Sequence, residues 1–321
     1  MSGKLNNPHD AFMKSLLGDI SVAREFLLQF LPSALREQLD FSTLTAGKSS
    51  FVSRELREVF ADAVFEVRLK GDGEKSCLIS ILLEHKSYAD EQAPFQILLY
   101  LAQGYLEQWK NREVLRPIVP LLFYHGRENW ELRPISAYFD MNYAETLRYV
   151  PRFEAVFASL VRMSEEDIGR VTNAWLRAAL LTQKFSHSPE ELLERLLRIL
   201  QTISEATGGN FFQPLTVYLF ELIQISEEQM EQIIKPLPPA DQEKIMSLYD
   251  RILQKGVKQG MQQGMEKGIE KGIEKGIEKE KIAAVLRGHK EGISPQILSI
   301  ITGLTEKQVK TVIAKSGNNK K

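Results

Sequence analysis

The chain predicts a mixed α/β core, then an all-helical region and a helical tail built on a glycine repeat. Three observations carry that expectation. Two apolar runs, 60–70 and 77–83, flank a Gly-Asp-Gly-Glu turn and read as an antiparallel hairpin. A helical pattern over 91–111 separates the hairpin from a third apolar run at 118–124. From about 162 onward the periodicity is helical, and glycine recurs every fourth residue from 256 to 276.

Residues 9–31 read as one helix, with Phe12, Leu16, Leu17, Ile20, Val22, Phe26 and Leu27 at helical spacing before Pro32. Residues 33–58 are mixed, and Ser49-Ser50 marks a loop. Phe60–Lys70 alternates like a half-exposed strand, which makes Glu66 a solvent-facing residue. Cys77–Leu83 is more apolar and therefore more central, and it runs into Glu84-His85-Lys86. Pro94 suits the first turn of the 91–111 helix. Pro120 within Ile118–Tyr124 argues for a bulge or an edge. Phe153–Leu160 reads as a further short strand. Segments 164–183, 188–206, 213–224, 226–235 and 239–253 read as helices separated by SHS, TGG and PLPP breaks. Beyond the repeat, 280–315 reads as two or three short helices. Ser294-Pro295 forms an N-cap and N1 pair, Gly303 is a stop, and Thr305 with Gln308 makes a capping box.

Composition is that of an ordinary soluble protein, with 43% hydrophobic and 26% charged residues among 321. The formal charge of −1 is a cancellation. Residues 251–321 carry 15 Lys/Arg against 7 Asp/Glu, a net +8, which leaves 26 against 35, or −9, in residues 1–250. The single cysteine, Cys77, excludes an intrachain disulfide framework and a cysteine-rich zinc site, and its apolar run makes it a core residue. The start lacks the apolar stretch of a signal peptide, and no run is long enough to span a membrane, so the expected compartment is the cytoplasm.

Chemistry concentrates on the hairpin. Residues two apart on a strand share a face, so Glu84 and Lys86 project together. Asp62 lies near the start of the preceding strand. A three-residue loop sets position 62 opposite 84, and a two-residue loop sets it opposite 83. Two carboxylates and a lysine at one strand end suit phosphodiester hydrolysis, because hard oxygen ligands hold Mg²⁺ and the metal activates water. The same spacing also makes a plain strand-edge salt bridge. On the next helix Gln96 and Tyr100 stand one turn apart, where Tyr100 is either a site residue or a core aromatic. His125 reads as a turn cap or a site residue, and Trp109 and Trp130 as packing residues.

Asp62, Glu84-His85-Lys86 and Gln96-x-x-x-Tyr100 together resemble the PD-(D/E)xK nuclease signature, with the QxxxY element of its RecB-like branch. More specifically the chain resembles the bacterial Rpn family of recombination-promoting nucleases, also described as YhgA-like transposases. His9-Asp10-x-Phe12-Met13-Lys14, FADAVFEV, LLEHKS, PLLFYHG and Trp130 support the likeness. The resemblance implies a restriction-endonuclease-like core, DNA as substrate and Mg²⁺ or another divalent cation as cofactor. It makes Asp62 and Glu84 metal-binding carboxylates, Lys86 the catalytic lysine and the His85 backbone carbonyl a further ligand. Gln96 and Tyr100 would support the site or touch the DNA backbone, and Asp10 would add an acid from the first helix. The proline that often precedes the first acid is replaced here by Ala61.

The domain expectation is a nuclease-like domain over 1–161, a helical subdomain over 162–250, a Gly-x-x-x segment over 251–280 and a small helix-turn-helix-like segment over 281–321. Each glycine costs a helix about 1 kcal/mol relative to alanine. A four-residue stripe also drifts about 40° per unit round a helix. The repeat is therefore either a loosely helical linker or an oligomerisation helix for a homo-oligomer. The basic lysines of 306–315 suit phosphate contact. The expected function is a metal-dependent DNA endonuclease that promotes recombination. The alternative is a catalytically weak or inactive DNA-binding or assembly protein retaining the nuclease fold.

Overall fold

The computed structural model describes residues 8–47, 63–71, 75–84, 90–140, 145–207 and 211–318, and it divides into two units, Met1–Tyr249 and Asp250–Lys321. The first unit begins with two helices where the periodicity suggests one: α1 (Pro8–Leu17) and α2 (Ile20–Phe30). The break falls at Gly18-Asp19. Asp19 starts α2 by accepting from Ser21 N at 2.8 Å and Val22 N at 3.4 Å, a cap worth about 1 kcal/mol. The Ser21 hydroxyl bond, the leading cause, holds the Asp19 carboxyl below its ordinary range.

A short helix, α3 (Ser33–Gln38), runs straight into β1 (Leu39–Ala46). Then follow β2 (Ala63–Leu69), β3 (Ser76–Glu84), α4 (Ala93–Lys110), β4 (Ile118–Tyr124) and β5 (Val156–Ser159). The sheet runs β1-β2-β3-β4-β5 in order. β1, β2 and β3 are antiparallel, and β3, β4 and β5 are parallel, so β3 is the central strand where the mode changes. β1 has a register irregularity between Asp40 and Thr45. It lies within the stretch the sequence leaves as mixed.

The hairpin forms with a different register from either expected one. Ala63 pairs with Ile81, Arg68 pairs with Ser76, and Leu69 N donates to Lys75 O at 2.9 Å. The ladder is thus centred on position 72, and Gly71 has a left-handed backbone at φ +78°. Position 62, whose partner the loop lengths set at 83 or 84, lies outside the described residues.

Pro120 sits in an interior strand, between β3 and β5, and not at a sheet edge. Locally, however, the edge reading holds. β5 pairs with β4 only from Leu121 onward. Leu78 N donates to Pro117 O, so positions 118 and 120 turn their backbone groups away from β3. The Tyr105 hydroxyl accepts the Ile118 N–H at 3.0 Å, and Pro120 has no N–H to place.

Helices cover both faces of the sheet. On one face Ile97, Tyr100 and Leu101 of α4 pack with Leu78, Leu122, Tyr124 and Trp130. Gly104 permits the close approach, since a Cβ there would lie 2.5 Å from Ile118 Cδ1. The buried Gln108 amide clamps the connection to β4, its Oε1 accepting from Arg116 N at 2.7 Å. On the other face Phe123 meets Phe26 and Phe30 of α2, with ring centroids 5.2 and 5.3 Å apart. Trp130 packs as expected, but Trp109 is 71% exposed.

The helical region continues with α5 (Glu165–Gly169), α6 (Ala174–Lys184), α7 (Pro189–Glu194), α8 (Leu196–Glu205), α9 (Phe212–Leu222) and α10 (Glu227–Ile234). The segments expected at 164–183 and 188–206 are each split. Asn173 caps α6 by accepting from Leu176 N at 3.0 Å, and Arg195 interrupts the second. These helices share contacts with the first ones. The Glu25 carboxylate accepts from Thr172 Oγ1 at 2.7 Å and Asn173 N at 3.1 Å, and Phe12 stacks on Tyr218 at 4.9 Å.

The repeat lies within one 52-residue helix, α11 (Pro239–Lys290), whose residues from Asp250 onward belong to the second unit. The unit continues with α12 (Pro295–Thr302) and α13 (Glu306–Asn318). Its core is Val285, Leu298 and Val309, with Ile293, Leu304, Val312 and Ile313 around them. Gly303 ends α12 at φ +67°. Thr305 and Gln308 form the capping box, Thr305 N donating to Oε1 at 2.8 Å and Gln308 N to Oγ1 at 3.3 Å. Ser294 precedes Pro295 at the N-cap position but makes no side-chain cap hydrogen bond. No helix among the described residues is long and apolar enough to cross a membrane.

Candidate functional site

β2 opens at Ala63, opposite Ile81, and β3 closes at Glu84. The start of one and the end of the other therefore share a rim of the sheet. The parallel strands β4 and β5 finish at the same rim, because Tyr124 is in register with both Glu84 and Ser159. In open sheets with parallel strands, ligands gather outside the carboxyl ends of those strands.

The candidate residues distribute unevenly about this rim. Asp62, His85 and Lys86 lie outside the described residues. Glu84 is the last residue of β3. Asp10 lies in α1. Gln96 and Tyr100 stand one turn apart on α4. Gln96 is half-buried, whereas Tyr100 is 3% exposed and packs in the apolar layer with Tyr124. Of the two readings of Tyr100, the core aromatic describes its surroundings. Among the described residues, no group of three or more His, Cys, Asp and Glu is placed to hold a metal ion. The metal expectation thus rests on Asp62 and Glu84.

Three further side chains change their reading. Glu66 is not simply solvent-facing. It accepts from Ser76 Oγ and from Arg116 Nη1, both at 2.8 Å. Burial pushes its carboxyl up, but the Ser76 and Arg116 bonds and the arginine charge outweigh this and leave it below the ordinary range. Cys77 is a core thiol, pushed up to about 11 by burial. His125 is buried, stacked on Phe123 at 6.0 Å and nearly parallel to His187 at 6.2 Å.

Sequence reasoning missed Asp90. It is 5% exposed at the entry to α4, where Oδ1 accepts from Gln92 N at 2.9 Å and its carbonyl accepts from Ala93 N at 3.1 Å. No periodicity marks a lone acid before a helix as buried. An acid followed by a proline at N2 was the available hint, and it points only to a helix start.

Comparison with known proteins adds to this geometry. Residues 7–209 match the family described as "Putative transposase, YhgA-like". "Recombination-promoting nuclease RpnD" of Escherichia coli O157:H7 is 30% identical over 257 residues, covering 77% of this chain and 94% of the relative. "Inactive recombination-promoting nuclease-like protein RpnE" of E. coli K12 is 29% identical over 78% of this chain and 83% of its own length. "Recombination-promoting nuclease RpnA" of the same strain is 27% identical over 78% and 85%. No solved structure matches.

Proposed function

The chain belongs to the YhgA-like transposase family, and from that premise we propose that it is a metal-dependent DNA endonuclease of the PD-(D/E)xK class that promotes recombination. The observation that carries the reading is the shared rim, where the start of β2 and the end of β3 meet under the layer of α4. Asp62 directly precedes β2 in the chain, and Glu84 closes β3. Nuclease relatives at about 30% identity over most of the chain support the same reading.

The donor set fits a hard divalent cation. Asp62 and Glu84 carboxylates with the His85 carbonyl are all oxygen ligands, which suits Mg²⁺. When bound, such a cation polarises the phosphoryl oxygen and acidifies a coordinated water. Lys86 would place a positive charge beside the attacked phosphate and orient the water. Gln96 would hold a side chain or the DNA backbone in place from α4, with Tyr100 as its apolar footing. Asp10 would add a carboxylate from α1.

The test is plasmid cleavage with Mg²⁺ by the full chain and by Asp62→Ala and Glu84→Ala. Loss of cleavage in both variants is the expected result. Equal activity in wild type and Asp62→Ala would overturn the assignment. A second reading, a weak or inactive DNA-binding protein with the same fold, is favoured by the relative named inactive at 29% identity and by the −9 charge of residues 1–250. Wild-type DNA binding without cleavage under any divalent cation would select it.

A further inference from the structure

A cleft of about 450 Å³ opens where β4 and β5 leave the sheet, lined in part by His125, Arg127, Lys184, His187 and Glu191. We propose that this cleft binds a backbone phosphate of the DNA strand next to the one that is cut; the inference rests on the nuclease reading of the neighbouring rim.

Two cations are fixed at its wall by backbone carbonyls. Lys184, the last residue of α6, donates from Nζ to Leu160 O at 3.3 Å and Val161 O at 3.2 Å. Arg127 Nη2 donates to His187 O at 2.7 Å, while the rest of its side chain is exposed. Held guanidinium and ammonium groups suit a phosphate oxygen pair, the first as a fork and the second as a point charge. His125 and His187, their rings nearly parallel at 6.2 Å, also line the cleft. Glu191 is the acidic lining residue and is exposed on the rim. Glu165, the other carboxylate that acts on Lys184, is engaged by Arg195 at 2.7 Å and Arg198 at 3.1 Å. A local cationic surplus of this kind stands out in a body of charge −9.

Position relates the cleft to the candidate site. Tyr124 is in register with Glu84, and His125 is the next residue along β4. Strand alternation sends position 125 to the opposite face, where it joins Phe123 on the α2 side. A DNA strand crossing the rim from the α4 face to the α2 face would meet position 84 first and the cleft next. The volume suits one nucleotide unit, being within the usual few hundred Å³ of small-ligand sites. Burial lowers the affinity of Lys184 for its proton despite the charges of Glu165 and Glu191, and a bound phosphate would favour the charged form further.

The experiment measures duplex DNA binding by the full chain in EDTA across a salt series, using fluorescence anisotropy. Arg127→Gln and the double variant with Lys184→Gln are compared with wild type. Each lost phosphate contact should lower the slope of log K against log salt by about one, and the double variant should bind about tenfold more weakly near physiological salt. In Mg²⁺ cleavage, KM should rise while kcat stays within about twofold. Unchanged slope and affinity in Arg127→Gln, whose exposed side chain makes misfolding no explanation, would overturn the proposal. The binding series needs no cleavage. If the wild type cuts no DNA, the nuclease reading falls and the slope still decides the cleft. If it cuts and the slope is unchanged, the cleft alone falls.

Discussion

Replacing Gly268, Gly272 and Gly276 of α11 by alanine should strengthen the helix. A Cβ built at each of the three meets nothing within 4 Å, so no steric term opposes the change. Alanine gains about 1 kcal/mol per site in a helix interior, or about 3 kcal/mol for three. By the tenfold per 1.4 kcal/mol rule, that is about a hundredfold on the local opening equilibrium. Amide hydrogen exchange of the full chain should show protection over 265–280 rising by that factor, while helices of the first unit stay unchanged. The sign also separates the two roles considered for the repeat. Met261, Met265, Ile269, Ile273 and Ile277 are all more than half exposed and run beside the glycines. If copies associate through that stripe, added methyls would force the helices apart. Protection would then fall, and sedimentation would show a smaller species at the same concentration. Unchanged or reduced protection would refute the picture of α11 as a solvated single helix.

Four other perturbations have definite signs. Asp19→Ala removes the cap of α2 and should cost about 1 kcal/mol, read as a melting temperature about 2–4 °C lower. Gln183 is fully buried, and neither polar atom of its amide makes a hydrogen bond among the described residues, so Gln183→Met should be neutral or raise stability by about 1 kcal/mol in urea titrations; a clear loss would show that the amide is needed. Glu66 has a lowered folded pKa, so its contribution is full above the ordinary value of 4.5 and fades as pH falls through the lower folded value; Glu66→Gln should flatten that acid limb, by less than about 1 kcal/mol because the pair is partly exposed. Leu298→Ala opens the small core of the second unit and should cost about 2–5 kcal/mol there, seen as lost exchange protection over 285–313.

What was legible in the sequence follows from physical range. The hairpin strands and the 118–124 strand announce themselves through local alternation and apolar runs. β1 did not, because LDFSTLTA buries only Leu39 and Leu44 and is interrupted by an irregularity. The hairpin register differs because the ladder is centred on position 72, whereas turns at 72–73 or 72–74 centre it half a residue or one residue later. Gly18-Asp19 was readable as a stop followed by an N-cap, yet the apolar spacing on either side overrode it. Glycines in the tail carry a helix penalty that leaves a loosely helical linker and an oligomerisation helix both open, and the flanking segments are good helix formers that extend α11 through them. At the candidate site, the residue types stood out on short spacings. The cleft residues at 125, 127, 184 and 187 come from segments nearly 60 residues apart, and no local pattern joins them.

The half of β4 that β5 does not pair bears on how the sheet resists an added strand. A β-strand with free outward N–H groups is a template on which a foreign strand can grow. At 118 that group is held by the Tyr105 hydroxyl, and at 120 proline removes it. The outer strands offer little more, since β5 is four residues long and β1 is kinked. These features make the described sheet a poor seed for fibre-like stacking.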